Sequence, residues 1–315
     1  MNKKPRAIKN VRQLGIIIVL VAMAAVFSLR SRYFLTINNV ISILQQAAIQ
    51  GTLAIGMTVV IITGGIDLSC GAIVGLSAAV AAKHMVTYGA SGIFTALLLA
   101  LVVGILCGLL NGVLISYLTL QPFLVTMGTM NLYRGIEYIY TEAKTVRGFP
   151  KAFSDTMNSL NSSIPIPVIV MFAVMLIVFV IVKYTSFGHY VFAIGGNEEA
   201  TRLSGIDVNK VRTFTYVIMG VICSICAILY LGRIGSADAN TGTGYEMDGI
   251  AAAAIGGASL AGGKGSFAGT ILGALMLAML QNGLTLMKVR SFYQTAATGI
   301  IIIIAVIIDR FSNNK

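Results

Sequence analysis

Residues that could do chemistry are few in this chain, and the clearest candidates lie among long apolar stretches. Asp67 stands at a break between two apolar runs and is followed by Ser69, whereas Asn131, Arg134 and Glu137 lie within a later apolar run. Charged groups at membrane depth are costly, so they usually line a solute pathway or pair with one another. We therefore predict all five as pathway candidates. For Arg134 and Glu137, which lie three residues apart on one helix face, a structural ion pair is favoured over a role in translocation.

Motifs for catalysis and nucleotide binding are incomplete. Gly262–Ser266 reads GGKGS, but a phosphate-binding loop needs Ser or Thr where Gly265 stands and a glycine where Ala258 stands. The sequence contains no GxSxG or HExxH motif, and its cysteines lie in or beside apolar runs, as small packing residues do. These are Cys70, Cys107, Cys223 and Cys226. We predict that the chain is not an enzyme and binds no metal, nucleotide or other cofactor itself.

The elements that position these residues are predicted from composition. The chain is 57% hydrophobic and only 10% charged, which is too apolar to cover a water-soluble surface. Spans of roughly 20 apolar residues cross a membrane as helices. We predict an all-α polytopic membrane protein with about ten transmembrane helices, the fifth partly broken and the eighth short. The expected spans are 14–29, 40–62, 70–87, 93–116, 122–142, 164–182, 213–232, 248–261, 266–287 and 291–309.

Charge predicts the orientation. The net charge of +11 suits orientation and anionic lipid headgroups in so apolar a chain, so membrane lipid rather than nucleic acid is the expected partner. Basic residues concentrate in the tail 1–13, which predicts a cytoplasmic N-terminus. A single transmembrane domain then covers 14–310. Within it, the loop 143–163 is external, the loop 183–212 is cytoplasmic, and the C-terminus is cytoplasmic.

The polar segment 183–212 is predicted to carry a short exposed helix between two spans. Asn197 is a good N-cap, Glu198 and Glu199 place negative charge at the helix N-terminus, and Gly205 can end the helix in a left-handed conformation. Asp207 is predicted to cap the helix that follows. A simple connection does not need a capped helix, so we predict that this segment meets a partner protein.

Two glycine-rich segments begin at Thr63 and Gly242. Small residues at helical spacing let helix backbones approach closely, which is the ordinary packing role. An offset of 192 residues aligns Gly64 with Gly256 and Gly65 with Gly257, and it also aligns Gly71 with Gly263. This suggests two related halves, and the glycines are candidates for packing or gating.

Longer motifs carry a resemblance to a known family. The sequence reads GGIDLSCG from Gly64, GGNEEATRLSGI from Gly195, and GTGYEMDGIAAAAIGGASLAGGKGSFAGT from Gly242, with QNGL at Gln281 and FYQTAATGIIIIIAV at Phe292. Over essentially its whole length the chain resembles the permease subunits of bacterial ABC sugar importers of the ribose-permease type. The run from Glu199 also resembles the start of the loop by which importer permeases meet their ATPase.

The resemblance implies a subunit of an ATP-driven monosaccharide importer in the bacterial inner membrane. Two permease copies would form the pore, a separate cytoplasmic ATPase would bind ATP and Mg²⁺, and an external sugar-binding protein would deliver the solute. The residues implied to couple to the ATPase are Asn197, Glu198, Glu199, Ala200, Thr201, Arg202, Leu203 and Gly205. A permease for branched-chain amino acids or another small polar solute is the first alternative, and a secondary transporter is the second.

Overall fold

Helices account for nearly all regular structure in the computed structural model, which describes residues 4–158 and 165–313. The helices are α1 (Lys4–Arg30), α2 (Ile37–Ile62), α3 (Cys70–Tyr88), α4 (Ile93–Ser116), α5 (Pro122–Thr141), α6 (Lys151–Asn158), α7 (Ile166–Tyr184), α8 (Ser186–Gly196), α9 (Glu198–Leu203), α10 (Val208–Ile234), α11 (Tyr245–Gly256), α12 (Phe267–Leu286) and α13 (Ser291–Asn313). A 3₁₀ turn, Gly89–Gly92, joins α3 to α4, and two short strands, β1 (Val146–Arg147) and β2 (Ser236–Ala237), pair antiparallel.

Long apolar helices make this an all-α membrane protein. Among the described residues, 6 helical stretches are long and apolar enough to cross a membrane. They are Gln13–Arg30, Ile37–Ile62, Cys70–Ser116, Ile166–Tyr184, Val208–Ile234 and Phe267–Leu286. The third of these contains both α3 and α4, so it turns back on itself within one apolar run.

Helix α2 lies at the centre of the bundle, buried almost continuously from Ala47 to Ile62. The closest packing joins α4 to α10, where glycines bring the two backbones together. A β-carbon built on Gly108 would overlap the Tyr216 carbonyl oxygen, and one on Gly220 would overlap that of Gly104. Apolar surface gains little by leaving lipid for another helix, so such close contacts are what hold a membrane bundle together.

The two glycine-rich breaks meet at one end of the bundle. The first break follows α2 and the second separates α11 from α12, and the Gly263 N–H donates to the Ile62 carbonyl oxygen at 2.9 Å. At the opposite end, β1 pairs with β2 so that Val146 faces Ala237. Segments far apart in the sequence are thus held together at both ends.

Three local predictions were wrong. Helix α5 is continuous. Its polar side chains can bond to a neighbouring helix without a break in the helix backbone: the Tyr133 hydroxyl, for example, donates to the Cys107 carbonyl oxygen of α4 at 2.9 Å. Segment 183–212 contains α8 in addition to the single short helix that was expected, which is α9. Helix α11 ends at Gly256, before the expected 261, because Gly257 takes a left-handed conformation with φ +105°. The external-loop prediction 143–163 includes residues 159–163, which lie outside the described part of the chain.

Candidate functional site

The short helix α9 has the local structure that its sequence predicts. The Asn197 side chain accepts a hydrogen bond from the Ala200 N–H at 2.9 Å, which satisfies one of the free donors of the first turn. The Thr201 hydroxyl donates to the Asn197 carbonyl oxygen at 2.7 Å. Beyond the last turn, Gly205 adopts φ +81°, a conformation that favours glycine. The N-cap and the glycine stop are therefore confirmed.

An ion pair fixes α9 to the long helix α10. Glu198 bonds Arg202 at 3.0 Å within α9 and also bonds Arg212 of α10. The hydrogen bond from Arg212 is the main reason that the pKa of Glu198 lies below its usual value, so the carboxylate stays charged at neutral pH. Asp207 caps α10 by accepting from the Lys210 N–H at 3.1 Å. Together these bonds make α9 and the start of α10 one unit.

The outer face of α9 is exposed. Glu199 and Ala200 are solvent-accessible, and Leu203 at the C-terminal end of the helix is 83% exposed. A cavity of about 420 Å³ borders α9 at Glu198, and its lining also includes Thr119, Gln121 and Arg212. The exposed face of α9 is accessible for contact with a partner protein.

Helix α8 connects α9 to both glycine-rich breaks through Gly195. A β-carbon built on Gly195 would overlap the carbonyl oxygen of Ile62 and lie 2.5 Å from the nitrogen of Gly263. A β-carbon on Gly262 would lie 3.2 Å from Cα of Gly64. Three backbones therefore meet where any side chain would push them apart. The only sequence signal for this contact was the glycine pair before Asn197, whose role depends on residues that are distant in the chain.

The other candidate glycines pack close to the same region. A β-carbon on Gly65 would lie 2.6 Å from the Tyr216 hydroxyl, and one on Gly256 would lie 2.5 Å from Cα of Thr270. Gly64 and Gly257 both take positive φ, +79° and +105°. A side chain would clash at Gly65 and Gly256, and it would be disfavoured by the positive φ of Gly64 and Gly257. The two related halves remain a prediction.

Asp67 and Ser69 belong to one buried polar network. Asp67 Oδ1 accepts from the backbone N–H of Ser69 at 2.8 Å and from its hydroxyl at 2.6 Å. Asn111 then donates to Ser69 Oγ at 2.7 Å and accepts from the Tyr133 hydroxyl at 3.1 Å. Asp67 Oδ2 has no hydrogen-bond partner among the described residues. Asn111 and Tyr133 were not predicted, because an amide and a phenol in separate apolar runs gave no sign that they would meet.

Two of the remaining pathway candidates, Arg134 and Glu137, form a separate polar group. Arg134 pairs with Glu137 at 2.9 Å and also donates to the carbonyl oxygen of Thr241 at 2.5 Å. The predicted ion pair therefore forms, and each residue offsets the charge of the other. Glu137 is almost fully buried at this pair. Asn131 is exposed and donates to the Met127 carbonyl oxygen of its own helix at 3.1 Å. The structure thus does not bring Asn131 into either polar group.

Comparison with known proteins places this architecture in a family. The family described as "Branched-chain amino acid transport system / permease component" matches residues 39–308. The chain is 41% identical to the ribose import permease protein RbsC of Escherichia coli K12, over 93% of this chain and 92% of that protein. It is 40% identical to RbsC of Bacillus subtilis, over 95% and 93%. It is 35% identical to the D-allose transport system permease protein AlsC of Escherichia coli K12, over 94% and 91%. No solved structure matches this chain. A match across most of its length, supported by relatives of this identity, shows that the chain belongs to the branched-chain amino acid transport system permease component family.

Proposed function

We infer that this chain is the transmembrane permease subunit of an ATP-driven importer for a monosaccharide. The relatives described above are named for ribose and D-allose, and they are similar to this chain over nearly its full length. The family description also covers branched-chain amino acids, which is the alternative substrate class. The observation that carries the proposal is the capped helix α9, held out with an exposed leucine and joined through Gly195 to both breaks of the bundle.

The energy source in this proposal is a separate ATPase that binds ATP and Mg²⁺. When nucleotide closes the ATPase, α9 is pushed as a rigid lever, since Glu198 bonds it to Arg212 at the start of α10. The displacement reaches the bundle where Gly195 contacts Ile62 and Gly263. The pore then changes between outward-facing and inward-facing states, and hydrolysis resets it. The coupling set is Asn197, Glu198, Glu199, Ala200, Thr201, Arg202, Leu203 and Gly205.

The assembly we propose contains two permease copies and an external sugar-binding protein in the bacterial inner membrane. Each copy spans the membrane about ten times, with both termini in the cytoplasm. Helices α5, α11 and α13 supply the crossings beyond the long apolar stretches, although α11 is too short to cross alone. We propose that Asp67 and Ser69 gate the pathway where the breaks meet. We assign Arg134 and Glu137 a supporting role through Thr241.

This orientation predicts which residues a membrane-impermeant thiol reagent can reach. The native cysteines, Cys70, Cys107, Cys223 and Cys226, are buried, so they give little background. Lys144→Cys replaces a side chain that is 77% exposed on the proposed external side, and Leu203→Cys lies on α9. In right-side-out vesicles, we expect maleimide to label Lys144→Cys directly and Leu203→Cys only after permeabilisation. The opposite pattern would invert the orientation.

Docking of the ATPase is expected to depend on Leu203. Leu203→Glu removes apolar contact worth about 1.5–3 kcal/mol if the leucine is buried by the partner. We therefore expect roughly tenfold or greater loss of ATPase co-purification and of ATP-dependent sugar uptake in proteoliposomes. The matched control is Leu35→Glu, which makes the same change at a residue 67% exposed at the other end of the bundle.

Three results would contradict the proposal. Unchanged ATPase binding by Leu203→Glu would remove α9 from the docking surface. Sugar uptake by the chain alone, without ATP or partner subunits, would favour the secondary-transporter alternative. Uptake of L-leucine instead of sugar by the complete transporter would favour the amino-acid alternative.

A further inference from the structure

A cavity of about 380 Å³ lies between α11, α12 and α13, and several polar side chains stand in an otherwise apolar wall. Asp248 of α11 and Gln281 of α12 face Ser291, Thr295 and Thr298 of α13 across it. This volume falls in the range of small-molecule sites, which combine a concave surface with a few converging polar groups. The cavity is separate from α9 and from the Asp67 network.

A cluster of glutamines holds the carboxylate of Asp248. Gln50 Nε2 donates to Asp248 Oδ2 at 2.9 Å and to Gln281 Oε1 at 2.9 Å. Gln46 Nε2 donates to the same Gln281 oxygen at 2.6 Å, and Gln281 Nε2 donates to Asp248 Oδ1 at 3.3 Å. The amide donors are therefore directed into the cluster itself, whereas the carboxylate retains lone pairs on the cavity side.

The cluster carries a surplus of acceptors. Gln50 is only 4% exposed, and its Oε1 has no hydrogen-bond partner among the described residues. Gln50 lies behind the cavity wall, so hydroxyl donors of a ligand would meet Asp248 and Gln281, which line the cavity. A sugar supplies several adjacent hydroxyl donors.

The charges around the cavity discriminate between substrate classes. None of the described residues that line it is Lys or Arg. The α-ammonium group of an amino acid could pair with Asp248, but its carboxylate would lack a cationic partner there. An uncharged polyhydroxylated molecule has no carboxylate to leave unpaired. The ring of Tyr245 in the same wall adds an apolar surface for the C–H face of such a molecule.

We propose that this cavity is a binding site of the permease itself for a neutral monosaccharide, with Asp248 and Gln281 accepting from its hydroxyl groups and Gln50 orienting both. The proposal rests on the proposed function in sugar import and adds to it a specific site. The solute would meet these residues after leaving the external binding protein.

Protection of an introduced cysteine tests the site without relying on transport. Thr295→Cys places a thiol on the cavity wall, and Lys144→Cys is the reference position outside it. The assembled permease and ATPase are placed in nanodiscs, and maleimide labelling is measured with D-ribose, D-galactose or L-leucine. We expect one of the sugars at twice its Kd to slow labelling of Thr295→Cys roughly threefold, because protection rises as one plus ligand concentration over Kd. Labelling of Lys144→Cys is expected to be unchanged.

Second-site variants assign the protection to the cluster. In the Thr295→Cys background, Asp248→Asn and Gln50→Leu are each expected to abolish protection by the sugar. Asn39→Ala is the matched control, since Asn39 pairs with Asn282 between the same helices at 3.0 Å but does not line the cavity. Protection is expected to survive Asn39→Ala. That result would show that disturbing an amide pair between α2 and α12 is not enough to remove the site.

The outcomes separate this inference from the proposed function. If none of the sugars slows labelling while the complete transporter still imports sugar, the site is wrong and the function stands. Protection by L-leucine alone would overturn both. Sugar protection that survives both Asp248→Asn and Gln50→Leu would overturn the assignment to these residues.

Discussion

Replacing Gly195 by alanine is expected to abolish coupled transport while the protein still reaches the membrane. The added β-carbon would overlap the Ile62 carbonyl oxygen, which also accepts the 2.9 Å hydrogen bond from Gly263. All three groups at this contact are backbone, so none can move aside by changing a side-chain rotamer. Overpacking of this kind costs about 1–3 kcal/mol, and the strain would displace α8 and with it α9. We expect sugar uptake to fall by about tenfold or more, measured in proteoliposomes with the ATPase and binding protein.

The neighbouring glycine supplies the control for this experiment. Gly196 lies in the same helix, but a β-carbon built there meets no heavy atom within 4 Å. Gly196→Ala should therefore retain uptake and ATP hydrolysis close to those of the unmodified protein. Equal activity of the two variants would show that the contact between α8 and the breaks does not carry the coupling. Comparing ATP hydrolysis with uptake in Gly195→Ala distinguishes uncoupling, in which hydrolysis persists, from loss of docking.

The second large effect is expected at the seam between α4 and α10. A β-carbon on Gly108 would overlap the Tyr216 carbonyl oxygen and lie 3.0 Å from Cα of Val217. Leucine at this position would force the two backbones apart along the closest helix contact of the bundle. Since apolar burial gives little driving force inside lipid, the separated helices would have no compensating gain. We expect Gly108→Leu to lose most of its monodisperse protein in detergent, measured by size-exclusion chromatography after mild heating.

Gly128→Leu makes the same change where the structure leaves space. Gly128 is exposed on α5, and a β-carbon there meets no heavy atom within 4 Å. This variant should elute like the unmodified protein. If Gly108→Leu were equally monodisperse after heating, the α4–α10 contact would not be a main source of stability.

Features that depend on neighbours in the sequence could be predicted from it. The Asn197 cap and the left-handed Gly205 each involve a few consecutive residues, and the structure has both. The long apolar runs likewise predicted a helical membrane protein, because a lipid-exposed backbone must satisfy its own hydrogen bonds. The motifs that resembled sugar-importer permeases predicted the family, and the similarity to RbsC confirmed it.

Features that depend on which helices become neighbours required the tertiary structure. Small and apolar residues fit many helix pairings almost equally well, so the sequence could not show that Gly195 would meet Ile62 and Gly263. For the same reason, the sequence could not show that Asn111 would bond Ser69 or that Gln50 would bond Asp248, since a lone amide in an apolar run does not identify its partner. The sequence by itself thus determined the class of the protein and its capped helix. Packing alone decided what that helix contacts and where the polar groups converge, because close contact and hydrogen bonding act between segments that the chain separates.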